Sequence, residues 1–125
     1  MHPDARYLFT ASMDVDPERE AVFNQVYDTE HIPFLLKVPG VLAVTRATLA
    51  PLEMSIGGQV KTIAAEGEPK YSAVYELADI GVVTSPAWAA AVELGRWPTE
   101  VRPYTRNRRH TMRKVMRNDP PRGAG

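Results

Sequence analysis

Two short motifs, Asp16-Pro17-Glu18 and Ser85-Pro86, constrain this chain more than any other feature, because each opens a helix directly after an extended run. Proline fits the first helical position, where its missing N–H would have no intrahelical partner, and a preceding Asp or Ser offers an oxygen to the free amides. Ahead of the first motif, Tyr7, Phe9, Ala11 and Met13 alternate with Leu8, Thr10, Ser12 and Asp14, which predicts a strand over 7–15. Behind it, Phe23, Val26, Tyr27 and Glu30 recur at helical spacing. Pro33 restricts Ile32 and predicts that this helix ends or kinks there. Phe34-Leu35-Leu36 makes an apolar plug and Pro39-Gly40 a turn. The second motif opens a shorter helix over 86–94, closed by Gly95 and Pro98.

Three more segments read as strands: 41–49, 71–77 and a long basic stretch, 104–116. Between the second and third lies an insertion, 50–69, in which Gly57-Gly58 separates two short alternating arms. Paired glycines supply the positive φ of a tight hairpin turn. The insertion is either a projecting hairpin that clasps a partner subunit or a loose surface segment. The order over 1–117 is therefore βαββαβ in one α+β domain, the ferredoxin-like arrangement, with two helices on one face of an antiparallel sheet. Residues 118–125 have the composition of a disordered tail. The other sheet face needs a cover, and a second copy of the chain is the simplest one, so a symmetric homodimer is expected.

A length of 125 residues, 44% hydrophobic and 24% charged, suits one ordinary globular domain. The absence of cysteine removes disulfides, thiolate nucleophiles and cysteine metal sites together. No apolar run approaches a membrane span, and the opening MHPDARYLF lacks the layout of a signal peptide, so a cytoplasmic protein is expected. Net charge is zero but uneven: 102–122 holds eight Arg or Lys against Asp119 alone. That strand lacks the interleaved aromatics of a single-strand nucleic-acid platform, which argues against a nucleic-acid partner. His2, His31 and His110 have no metal-ligand spacing, and no metal is expected.

Chemistry is concentrated in 27–31. A histidine that is neutral near pH 7 can take a proton from an acidic carbon or phenol, and Asp28, three residues earlier, stands where it can orient the His31 ring. The competing reading is that His31 only completes a helix end. Tyr27 can donate its phenol to a substrate oxygen or fill the core with a wet tip. Glu30 falls on the apolar stripe, so either it faces a pocket or the helix loosens before Pro33. Arg46 and Arg109 are candidates to hold a carboxylate or stabilise an enolate, against the alternative of an edge kept soluble by charge. Strict alternation puts Asn107, Arg109, Thr111 and Arg113 on one face and Arg106, Arg108, His110, Met112 and Lys114 on the other. Tyr75 and Trp88 are candidate pocket walls.

The element order, the run FNQVYDTEHIP, the VPGV turn and the SPAW helix start together resemble the dimeric α/β-barrel superfamily, in particular its EthD-like and related small members. The resemblance covers roughly 7–49 and 70–116; the glycine hairpin is outside the shared pattern. It implies two facing four-stranded sheets and a pocket in each subunit between sheet and helices. Relatives include cofactor-free monooxygenases of antibiotic biosynthesis, lactone isomerases, polyketide-tailoring enzymes and haem-using branches. The expected function is thus His-based proton transfer or cofactor-free oxygenation on an oxygenated, largely apolar small molecule, with no cofactor. A non-catalytic binding or assembly dimer is the alternative, and haem held by His31 the least favoured reading.

Overall fold

The computed structural model describes residues 1–120; the last five positions of the expected tail, 121–125, lie outside the described residues. Four strands, β1 (Tyr7–Val15), β2 (Val41–Thr48), β5 (Tyr71–Leu77) and β6 (Thr105–Lys114), form an antiparallel sheet in the order β2-β5-β1-β6. That α+β order is compatible with the ferredoxin-like arrangement. Two further strands, β3 (Leu52–Ile56) and β4 (Gln59–Ile63), form a separate hairpin, with Leu52 opposite Ile63 and Gly57 and Gly58 both at positive φ in its turn. The insertion is therefore an ordered hairpin, and every residue of both arms is exposed.

Alternation decides which side of the sheet is core. Ala11, Met13 and Val15 of β1 and Tyr71, Ala73, Tyr75 and Leu77 of β5 are buried against the helices, together with Phe23, Val26 and Leu35. Their alternates, among them Leu8, Thr10, Ser12, Ser72 and Val74, turn to the opposite face, where no strand residue is buried. On that face the Ser12 and Ser72 hydroxyls meet at 2.7 Å, satisfying each other between neighbouring strands.

The first helical run departs from expectation. It starts at Pro17 and continues as α1 (Glu20–Val26), a π-helical turn (Tyr27–His31) and α2 (Ile32–Leu36). Pro33 does not stop it. The turn widens until the Ile32 amide donates to the Tyr27 carbonyl, five residues back, so Pro33 falls in the first turn of α2, where a missing donor costs nothing. Asp16 also does something other than cap: its carboxylate takes the Arg106 guanidinium, and no side-chain bond closes the helix start. Ser85 behaves as expected, accepting from the Trp88 amide at 3.2 Å to open α3 (Pro86–Ala91). A second π-helical turn, Trp97–Val101, leads towards β6. Among the described residues no helix is long and apolar enough to cross a membrane.

Candidate functional site

On the helix-covered face of the sheet, between β1, β6, the first π-turn and α3, lies a cavity of about 340 Å³. Its floor is Phe9, Ala11 and Met13 of β1 with Tyr75 of β5. Tyr27 and His31 close one side, Trp88 and Trp97 another, and Arg102, Arg108 and His110 stand around the remainder. Aromatic rings define its shape. Trp88 meets Phe9 and Tyr75 edge-on at 5.8 and 5.5 Å, and His110 stacks on Phe9 at 5.9 Å.

His31 sits deeper than a helical projection suggests. The wide π-turn carries it inward beneath Tyr27, leaving it 5% exposed, where a regular helix would have put it at the stripe's edge. Its ring stacks on Trp97 at 4.1 Å and 16° and meets Tyr27 edge-on at 5.1 Å. Nδ1 is fully enclosed with no hydrogen-bond partner. Burial, helped by the Arg102 charge, pulls its pKa down to about 4, so the imidazole is neutral at pH 7. Trp97 reaches His31 because Glu30 holds the preceding turn. The Glu30 carboxylate accepts from the Arg96 backbone amide at 2.9 Å and from Arg96 Nε at 2.6 Å, and these bonds keep its pKa below the usual carboxylate range. Gly95 makes that approach possible: it has φ +68°, and a Cβ there would lie 2.5 Å from Glu30 Oε1. Glu30 does not line the cavity; partly exposed, it fixes the second aromatic wall.

The Tyr27 and Tyr75 hydroxyls are 3.3 Å apart inside the protein. Burial raises both pKa values, so both phenols are neutral proton donors. One O–H is spent between them, which leaves one for a substrate oxygen.

Three of the candidate residues lie away from this cavity. Asp28 is 60% exposed at its side chain and accepts from Arg46 Nη1 at 2.8 Å, pointing away from the imidazole it was expected to orient. Arg46 lies on the far side of Tyr27, 4.5 Å over that ring, with its other nitrogen on Asn24 Oδ1 at 2.8 Å. It lines a neighbouring depression of about 280 Å³ with Asn24 and Tyr71, not the His31 cavity. Arg109 faces the opposite side of the sheet and is held by the Gly67 carbonyl at 2.9 Å and by Glu68 at 3.1 Å. Tyr27, His31, Tyr75 and Trp88 are brought together as expected.

The arginines that do reach the cavity are Arg102 and Arg108. Arg102 is tied to Glu93 and to the Val92 carbonyl. A bulge sets up Arg108: Ser12 pairs with Arg109 but Asp14 with Arg106, so β6 carries one extra residue opposite Met13. Asn107, at φ +50°, is the only non-glycine residue at positive φ among those described. The bulge splits Arg106 from Arg108, which alternation had placed on one face. Asparagine tolerates this conformation, so its presence in a basic strand was the available signal.

Among the described residues no three His, Asp or Glu side chains form a metal cluster. No family model, curated protein or solved structure matches the chain.

Proposed function

We propose that the protein is a homodimeric enzyme of the dimeric α/β-barrel, EthD-like kind that moves a proton on an oxygenated, largely apolar small molecule held in the His31 cavity. The observation that carries this reading is His31 itself, a neutral and nearly buried imidazole with an unpartnered nitrogen, set in an aromatic cavity beside two neutral phenols. Unsatisfied buried polar atoms cost roughly 1–3 kcal/mol and are uncommon, so one in a pocket wall asks for a functional reason.

The chemistry follows from the two groups. A proton on carbon next to a carbonyl passes to Nε2 of His31, the ring nitrogen that is not enclosed, the C–H electron pair moves into the carbonyl as an enolate, and the free phenol O–H of the Tyr27–Tyr75 pair donates to the developing oxyanion. Return of the proton to another carbon isomerises the substrate; loss of a β-hydroxyl as water dehydrates it. Developing negative charge beside His31 raises its basicity from the low resting value. Asp28 has no part in this scheme.

A second reading, a non-catalytic binding dimer, is favoured by that same low basicity of His31. One experiment separates the two. 2-Tetralone is an aromatic ketone with acidic C–H positions, and deuterium uptake into it from D2O at pH 7 can be followed by NMR. The enzyme reading predicts faster uptake with the protein, lost in His31→Gln. Binding without accelerated exchange supports the second reading; exchange unchanged in His31→Gln removes His31 as the base.

The dimer rests on the uncovered sheet face and on the hairpin, where Leu52, Met54 and Ile56 are each more than two-fifths exposed. An isolated two-stranded hairpin is marginal by itself, and a second copy of the sheet and hairpin would cover both. Light scattering at micromolar concentration should give the mass of two chains; a stable monomer would contradict the barrel.

A further inference from the structure

The cavity contains a cation with no assigned partner. Arg102 is held by Glu93 and Val92, Arg109 by Gly67 and Glu68, Arg106 by Asp16 and Arg46 by Asp28 and Asn24. Arg108 makes no hydrogen bond or ion pair among the described residues, yet lines the same cavity as His31 and Tyr27. Its side chain is exposed, but its neighbours on the strand fix its backbone position. Asn107 Nδ2 bonds both Asp14 Oδ2 and the Gly67 carbonyl at 3.0 Å, and the Lys70 amide bonds Asp14 Oδ1 at 2.8 Å. With Arg109 on Gly67 and Glu68, the loop after the hairpin therefore braces the bulge from the opposite sheet face. A strained backbone position tied at three points, which turns one guanidinium into an aromatic cavity, is how bulges re-aim side chains at sites.

We propose that the ligand of this cavity is a planar aromatic or conjugated molecule bearing one carboxylate, with the carboxylate on Arg108 and the ring between the aromatic walls. Guanidinium matches carboxylate as a two-pronged donor, and Trp88, Phe9 and Trp97 offer faces and edges to a flat apolar body. Asn107 and Arg109 are positioning residues for Arg108. The inference rests on the His31 cavity being a small-molecule site and adds the charge that the molecule carries.

The test uses two probes of one shape, 2-naphthoate and its neutral amide, 2-naphthamide, titrated calorimetrically into the full-length protein. Naphthoate is expected to bind about tenfold more tightly than naphthamide. Arg108→Gln should erase that preference by weakening naphthoate alone. Arg106→Gln, with the same charge change on the other face, should keep the preference and so exclude a long-range field effect. Equal binding of both probes by the natural protein overturns the carboxylate assignment and leaves the cavity reading standing. A preference that survives in Arg108→Gln overturns the role of Arg108. Binding of neither probe overturns the cavity reading together with the proposal. Asn107→Gly, which keeps the backbone conformation but removes the side-chain ties, should lower naphthoate affinity and leave naphthamide unchanged.

Discussion

Tyr27 divides two flanks of the same sheet that treat polar groups in opposite ways. On the β2 side, both terminal nitrogens of Arg46 are matched: Asp28 and Asn24 each accept at 2.8 Å and the Tyr27 ring lies beneath. On the β6 side, His31 Nδ1 is enclosed without a partner and Arg108 has no counter-ion among the described residues. A satisfied cluster holds the fold together. An unsatisfied one in a cavity weakens it and is left free to bind something else. If this contrast is real, substitutions on the first flank should cost stability, while those on the second should cost binding or raise stability.

The sharpest probe is acid. His31 titrates near 6.5 when unfolded and at about 4 when folded. Between those values the unfolded chain binds the extra proton, so stability rises with pH and is lost as pH falls from 6.5 towards 4. The loss attributable to His31 is roughly 2 kcal/mol by pH 5 and about 3 by pH 4. His110, also held low by burial and by Arg108, adds in the same direction. Carboxylates held low by their partners, such as Glu20 and Glu30, weaken the fold as pH falls through the ordinary carboxylate pKa and below it. Urea melts should therefore show a loss above pH 4.5 that His31→Gln largely removes. A profile that is the same in both proteins would mean the imidazole is solvated and the contrast false.

Gly95→Ala tests whether packing alone keeps His31 enclosed. The new Cβ meets Glu30 and Phe34 at a backbone conformation that alanine resists. A cost of about 2 kcal/mol is expected, with red-shifted Trp97 fluorescence as its wall opens. An unshifted spectrum at equal stability would break the link from Glu30 to Trp97 to His31.

Most of the fold was readable, and the reasons why are local. Strand alternation in 7–15 and 71–77, the Ser85-Pro86 start and the Gly57-Gly58 turn each depend on residues a few positions apart, and all four match the structure closely. Pro33 was misleading because its effect depends on the turn before it: a π-turn supplies a place for proline that a regular helix lacks. The Glu30 puzzle was the visible trace of that turn. The candidate site was half legible. Tyr27, Tyr75 and Trp88 are neighbours because helix stripe and strand alternation point them inward, and the π-turn brings His31 in with them. Alternation points to Arg109 and not Arg108 because it has no means of registering a bulge, and it leaves Asp28 beside His31 because the partner Asp28 takes, Arg46, is distant in sequence. Trp97 was missed as the ring stacked on His31 since its position depends on Glu30, 67 residues earlier in the chain.

Arginine substitutions compare the flanks directly. Arg46→Met keeps the apolar stem but loses the Asn24 bond, a half-buried cation–π contact and an ion pair whose acid is mostly exposed. It should cost about 1–2 kcal/mol in urea unfolding. Arg108→Gln should change stability by less than about 0.5 kcal/mol. Equal costs would mean that Arg108 is structurally engaged after all.

The smallest expected effects are in the hairpin, where the same distinction between matched and unmatched surface can be drawn across a single pair of strands. Cross-strand register puts the apolar row Leu52, Met54 and Ile56 on one face with Ile63, Lys61 and Gln59, and Val60 with Ser55, Glu53 and Thr62 on the other. Met54 is 44% exposed and Val60 72% exposed, so neither contributes much to the stability of one chain. Met54→Thr and Val60→Thr should both leave the unfolding free energy of the subunit within about 0.5 kcal/mol of the natural protein. Sedimentation should still tell them apart. If the apolar row Leu52, Met54 and Ile56 seats a second copy, only Met54→Thr shifts mass towards the monomer, because Val60 stands alone among polar neighbours and isolated surface hydrophobics need no partner. Equal shifts in both would mean that general strand propensity, not a buried face, governs association.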